Sequence, residues 1–339
     1  MKIGINGIAG RIGKFTAYEL IKQGNEIGAV NDLASTNNIV ESLSHKDVMH
    51  GSLDWKVEKI DDESISINGK RIKVCHEKDP SLIKWGQEIA AVDECAGPFV
   101  AKEDLEKHFT KGPNLETVLL SAPGKGDMKT LVMGVNHTNY TKQDKIISNA
   151  SCTTKALALP MQVILDSGLP IYGVLMDTTH AATNTQKPLD FMASYGVLDT
   201  IQSAKTGAAI ATGSVIPYLD GKMDGFAMRV PTRDGSFANV YFVTDGVESV
   251  SEKINSLFER AKDNPKYCNR LDTFKGSEIA SPDIIGNTAS SVIAISKTKV
   301  IPFKIDGKSL ALVGIVSGYD NERGPAKDLA LLTKYVLEH

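Results

Sequence analysis

Apolar positions along this chain fall into short runs separated by longer amphipathic stretches. Ile3-Gly4-Ile5-Asn6, Glu26-Ile27-Gly28-Ala29-Val30-Asn31, Ile65-Ser66-Ile67, Ile72-Lys73-Val74, Ala90-Ala91-Val92, Thr117-Val118-Leu119-Leu120 and Lys145-Ile146-Ile147 read as strands. Lys14 to Gln23 reads as a helix with Phe15, Leu20 and Ile21 on its apolar side, and most of the other runs are separated by segments able to hold a helix. This alternation predicts an α/β fold: a doubly wound, mostly parallel sheet with ligand at the carboxyl ends of its strands. In the second half, Val174-Leu175-Met176 leads into a strand-like run, 177–186. Ala326 to Leu337 reads as a helix from the spacing of Leu329, Leu332, Tyr335 and Val336.

The first strand runs straight into Gly7-Ile8-Ala9-Gly10-Arg11-Ile12-Gly13. A strand, a glycine turn and a helix make a phosphate cradle: the chain turns tightly, approaches a pyrophosphate without a Cβ in the way, and offers it a helix N-terminus. The second strand ends at Asp32, about twenty residues on, where a carboxylate accepts from a ribose 2′-hydroxyl and repels a 2′-phosphate. A Rossmann-type site for NAD rather than NADP is expected, with Gly7, Gly10, Arg11, Ile12, Gly13 and Asp32 as cofactor residues.

Composition narrows the partners. The chain has 339 residues, 42% of them hydrophobic, and a net charge of −3 with lysines and acids interspersed. That length allows two domains, and no electrostatic footprint for nucleic acid or anionic membrane is present. Small-molecule partners are expected. The cysteines Cys75, Cys95, Cys152 and Cys268 are far apart and without zinc-ligand spacing, so neither a disulfide framework nor a metal site is indicated. An immediate first strand and the lack of a long apolar stretch predict no leader, no membrane span and a cytoplasmic setting.

The candidate chemistry lies at Cys152, between a strand-like run and a helix-like one. A thiol at a helix N-terminus meets unpaired N–H groups and the positive end of the peptide dipoles, which predicts a lowered pKa and a nucleophilic thiolate. His180, amid hydroxyl residues on the 177–186 run, is the candidate base. His45, His50, His76, His108, His137 and His339 read as surface residues.

These residues resemble the phosphorylating glyceraldehyde-3-phosphate dehydrogenase family almost end to end. The resemblance rests on Ser148-Asn149-Ala150-Ser151-Cys152-Thr153-Thr154, Ser121-Ala122-Pro123, Met133-Gly134-Val135-Asn136-His137, Met228-Arg229-Val230-Pro231-Thr232 and Tyr319-Asp320-Asn321-Glu322. It implies an NAD-binding domain over 1–150 and 318–339, and an α+β catalytic domain with a mostly antiparallel sheet over 151–317. It implies that Cys152 attacks glyceraldehyde 3-phosphate with His180 assisting. The hemithioacetal passes hydride to NAD, and inorganic phosphate resolves the thioester to an acyl phosphate. By the same resemblance Ser151, Thr153, Thr206 and Gly207 hold the attacking phosphate, Thr183 and Arg229 hold the phosphate of the substrate, Asn321 fixes the nicotinamide carboxamide, and Lys78 and Ser121 join the cofactor site. A homotetramer is implied as well.

The sequence departs from the family pattern in several places. The turn has one extra residue at Ala9, and Ala96 stands where a hydroxyl residue is usual. Lys155 replaces the usual asparagine after Cys-Thr-Thr, and Pro325 replaces a tyrosine. The segment between Thr183 and Thr206 is short and has no arginine, although the family places a second arginine for the substrate phosphate there. Losing one charge-assisted hydrogen bond is worth about 1.5–3 kcal/mol. Lys187, Lys205 or Arg233 could supply a cation from another direction, although each reads first as a solvated surface charge. Two other readings stay open: the same chemistry on a different small aldehyde, and a non-catalytic NAD-binding protein.

Overall fold

A computed structural model describes residues 1–339 apart from 184, 185, 191, 193, 247–249 and 268. Cys268 and part of the expected 177–186 run therefore lie outside the described residues. The chain divides into two compact units: Met1–Met133, His137–Ser151 and Pro325–His339 form the first, and Gly134–Asn136 with Cys152–Gly324 the second.

The first unit is built on a nine-stranded sheet. Its order is Val57–Asp61, Ser64–Ile67, Lys70–Cys75, Ile27–Asn31, Lys2–Asn6, Ile89–Glu94, Thr117–Leu120, Ile146–Ser148, Lys129–Thr130. From Lys70–Cys75 onward every pair is parallel. The two outer strands before it form an antiparallel meander, an edge that the apolar pattern alone does not distinguish from the rest. Ile27–Asn31 and Ile89–Glu94 are buried along their whole lengths, as parallel strands covered on both faces must be. Strand order reverses at Lys2–Asn6, whose carboxyl end delivers Gly7 to the switch point where ligands bind in such sheets. The helix Arg323–Glu338 covers the predicted 326–337 run and sets Leu329, Leu332 and Val336 against Ala91, Leu119 and Ile147.

The second unit carries an eight-stranded sheet in the order Gln202–Ala204, Met223–Val230, Gly173–Ala181, Ser236–Asp245, Lys308–Tyr319, Ser291–Ala294, Leu271–Phe274, with Lys299–Ile305 paired to Lys308–Tyr319. It is mostly antiparallel; among the described residues two of its pairings are parallel. Against it lies the helix Cys152–Asp166, buried nearly all round, with Thr153, Thr154 and Lys155 enclosed along with its apolar side chains. Pro160 sits inside that helix and removes the N–H that the Ala156 carbonyl would receive. The Ser317 hydroxyl, from the neighbouring strand, donates to that carbonyl at 3.0 Å. Among the described residues, no helix is long and apolar enough to cross a membrane.

Candidate active site

In the first unit the glycine turn has the backbone a phosphate needs. Gly7 has φ +80°, and a Cβ there would stand 2.8 Å from the Ala96 nitrogen. A Cβ on Gly13 would come within 2.1 Å of the Gly7 carbonyl oxygen, so only glycine lets the helix pack on the turn. Gly10 caps Arg11–Lys22 without a side chain, leaving the first N–H groups of the helix to a phosphate. The extra residue, Ala9, is absorbed by Asp32: one carboxylate oxygen accepts the Ala9 N–H at 2.9 Å and the other the Ala34 N–H at 3.0 Å. Each keeps a lone pair for a ribose hydroxyl. This cradle fits a dinucleotide. Ile12 is half-buried in it; Arg11 is exposed, 3.7 Å from Asp47. Lys78 is exposed, and Ser121 donates its N–H to the Glu94 carbonyl.

Beneath the turn runs a buried polar network that pattern reading missed. Glu94 accepts from Asn6 at 2.7 Å and from the Ala96 N–H at 2.6 Å. Asn31 donates to Asn6 and binds both backbone groups of Glu77. His108, expected at the surface, is fully buried. Trp85 Nε1 can only donate, so His108 Nδ1 accepts from it at 3.2 Å, and the Nε2 proton goes to Glu94 at 2.9 Å. The available signal was the polar residue closing each apolar run: Asn6, Asn31 and Glu94.

In the second unit Cys152 is the first residue of its helix. The chain reaches it through Ala150, held at φ +57°, a left-handed conformation costing a non-glycine residue about 1–2 kcal/mol. His180 Nε2 lies 3.4 Å from Cys152 Sγ. Nδ1 of the ring lies 2.8 Å from the Ala181 carbonyl, which takes its proton and leaves the Nε2 lone pair toward sulfur. Burial lowers the His180 pKa to about 4, with the Arg229 charge adding to that, so the imidazole is neutral near pH 7. Burial likewise pushes the Cys152 thiol up, against Thr153, Lys155 and Arg229. The lowered thiol pKa expected from helix position is thus reversed, because removal from water outweighs the favourable groups around the sulfur.

A ladder of hydroxyls supports the pair. Thr178 donates to the Phe237 carbonyl at 3.1 Å, so it accepts from Tyr319 Oη at 2.8 Å, and Tyr319 accepts from Thr153 at 3.0 Å. Thr153 Oγ1 is also 3.8 Å from Cys152 Sγ. Turning each hydroxyl over would direct the ladder toward sulfur, so it can answer a negative charge there. Ser236 accepts the Ala181 N–H and donates to Asn321 Oδ1 at 2.6 Å, while Asp234 holds the Asn321 N–H. Arg229 pairs in register with His180 and donates to the Ala181 carbonyl at 3.2 Å.

The other expected residues have the following local settings. Thr206 accepts the Ala208 N–H and Gly207 caps Ala208–Val215, a helix packed on the Cys152 helix. Ser151 is half-buried, and Thr183 binds Gln186. Lys187, Lys205 and Arg233 are all exposed.

Residues 151–321 match the family described as glyceraldehyde 3-phosphate dehydrogenase, C-terminal domain, and residues 1–102 match glyceraldehyde 3-phosphate dehydrogenase, NAD binding domain. The chain is 39% identical to the glyceraldehyde-3-phosphate dehydrogenase of Streptomyces coelicolor, covering 99% of this chain and 98% of the relative. Identity to the enzyme of that name from Geobacillus stearothermophilus is 36% over the same shares. To that of Bacteroides fragilis it is 35%, covering 99% of each chain.

Proposed function

The chain belongs to the glyceraldehyde-3-phosphate dehydrogenase family, an NAD-dependent phosphorylating dehydrogenase, and from this premise we propose that Cys152 captures glyceraldehyde 3-phosphate as a covalent adduct. The observation that carries the reading is the 3.4 Å separation of Cys152 Sγ from a neutral His180 Nε2.

His180 takes the thiol proton as sulfur bonds to the aldehyde carbon, and the proton then passes to the carbonyl oxygen to give a thiohemiacetal. The Cys152 N–H, at a helix N-terminus, steadies the developing oxyanion. His180 next removes the hydroxyl proton while the carbon gives up hydride, leaving a thioester. NAD, when bound, accepts that hydride. A phosphate oxygen then attacks the thioester carbonyl and the C–S bond breaks, releasing an acyl phosphate, and the departing thiolate takes back the proton held by His180. Ser151, Thr153, Thr206 and Gly207 take the attacking phosphate in this reading, Thr183 and Arg229 take the phosphate of the substrate, and Asn321 takes the nicotinamide carboxamide.

NADH formation from glyceraldehyde 3-phosphate, followed at 340 nm, is expected only with phosphate or arsenate present. Comparable rates without either anion would overturn the reading. The arginine-free segment between Thr183 and Thr206 favours one second reading, the same chemistry on another small aldehyde. A panel of aldehydes compared by kcat/KM separates the two.

A homo-oligomer, a tetramer by resemblance, is part of the proposal. Leu175 and Tyr241 are cross-strand partners, and both are exposed, as are Phe226 and Met228 on the strand Met223–Val230 beside Leu175, an apolar face suited to a second copy. Light scattering giving a monomer at micromolar concentration would exclude it.

A further inference from the structure

Lys155 departs from the family pattern within the first turn of the Cys152 helix. Spaced i, i+3, the two residues share a helix face, with β-carbons about 5–6 Å apart. The lysine is 0% exposed. Two forces act against a cation in that place: burial removes it from water, and the first turn is the positive end of the helix. An anion sharing the turn offsets both, and the proposed reaction develops one at Cys152 Sγ.

We propose that Lys155 is a positioning residue that favours the Cys152 thiolate and thereby sets the pH range over which Cys152 attacks. The proposal rests on the reading of Cys152 as nucleophile. The charge of Lys155 acts on the thiol in the same direction as that of Arg229, against burial.

The other groups facing the sulfur come from separate strands: His180 from Gly173–Ala181, Arg229 from Met223–Val230 and Tyr319 from Lys308–Tyr319, with Asp234 acting through His180. Ala208–Val215 and Ser291–Ala294, which carry no titratable side chain, also pack on the Cys152 helix, as do Ser236–Asp245, with Tyr241 and Asp245, and Val250–Lys262, with Glu252, Lys253, Glu259, Arg260 and Lys262. The proton that leaves Sγ goes to His180 Nε2. The substitution of lysine for asparagine thus adds a positive charge where burial makes thiolate formation difficult.

The test is the pH profile of Cys152 alkylation by iodoacetamide in the full-length, NAD-free enzyme, with the Cys152 peptide followed by mass spectrometry and residual activity measured in parallel. In Lys155→Met the midpoint is expected to move up by about one pH unit, so that alkylation below both midpoints slows about tenfold. Lys155→Arg is expected to stay near the wild-type profile. Lys155→Asn, which installs the family's usual residue, is a second neutral variant with the same expected shift and is read alone if Lys155→Met does not melt cooperatively. Superimposable profiles for wild type and a folded neutral variant would overturn the role of Lys155. Alkylation of Cys152 that leaves activity intact would instead overturn the nucleophile reading, whatever the profiles.

Discussion

Tyr319 Oη lies 3.0 Å from Thr153 Oγ1 and so ties the strand Lys308–Tyr319 to the first turn of the Cys152 helix. Through Thr178 the same hydroxyl reaches the strand that carries His180. Cys152 and His180 are therefore registered by one phenol. Tyr319→Phe removes that link while keeping the ring. Each buried partner lost costs about 1–3 kcal/mol. We expect kcat to fall about tenfold with KM for the aldehyde nearly unchanged. Steady-state kinetics check this, and an unaltered kcat would show the ladder to be structural padding.

Asp32 holds the Ala9 N–H, and in the proposed reading the same carboxylate takes the ribose hydroxyl, so that one side chain would both shape the turn and select the cofactor. Asp32→Ser should weaken NAD binding by about tenfold, as loss of a charge-assisted hydrogen bond implies, and should narrow the preference for NAD over NADP. Calorimetric titration with each cofactor measures both. Retention of full discrimination would mean that the 2′-hydroxyl is read elsewhere.

His180 has its pKa depressed by burial from 6.5 to about 4. A depressed histidine adds stability above its unfolded pKa, and that contribution is lost as pH falls from 6.5 through about 4. His180→Asn should flatten stability across this window in thermal melts. The same change should lower kcat by about 10²–10⁴. A variant with near wild-type turnover would remove His180 from the chemistry.

Asp93 is fully buried, and burial raises its pKa to about 8. Thr333 Oγ1 lies 2.6 Å from Asp93 Oδ1 and 2.9 Å from the Leu329 carbonyl, a geometry served by a protonated carboxyl donating to the threonine. For a carboxyl raised in the folded state the sign is opposite to the usual one: its favourable effect is complete below the unfolded pKa of about 4 and is lost as pH climbs to about 8. Asp93→Asn should remove that decline and leave the protein at least as stable as wild type at pH 8.5. Parallel melting profiles from pH 5 to 9 would contradict it.

The alternation of strands and helices, the glycine turn at the end of the first strand and the place of Cys152 at a helix start were legible, because each depends on local spacing. What was not legible depends on burial. His108 looks like a surface residue until Trp85 and Glu94 are seen to enclose it. The direction of the Cys152 shift follows from how much protein surrounds the sulfur, which helix position does not encode. Tyr319 carries no motif signal for its role, since Thr153 and Thr178 converge on it only through the sheet.

The central claim is that Cys152 carries the acyl group between oxidation and phosphate transfer. The most direct measurement is mass spectrometry of the enzyme mixed with glyceraldehyde 3-phosphate and NAD without phosphate. The account expects a burst of NADH of about one per active site, a phosphoglyceroyl adduct on the Cys152 peptide, and its discharge when phosphate is added. Steady NADH production with no adduct on Cys152 would contradict it.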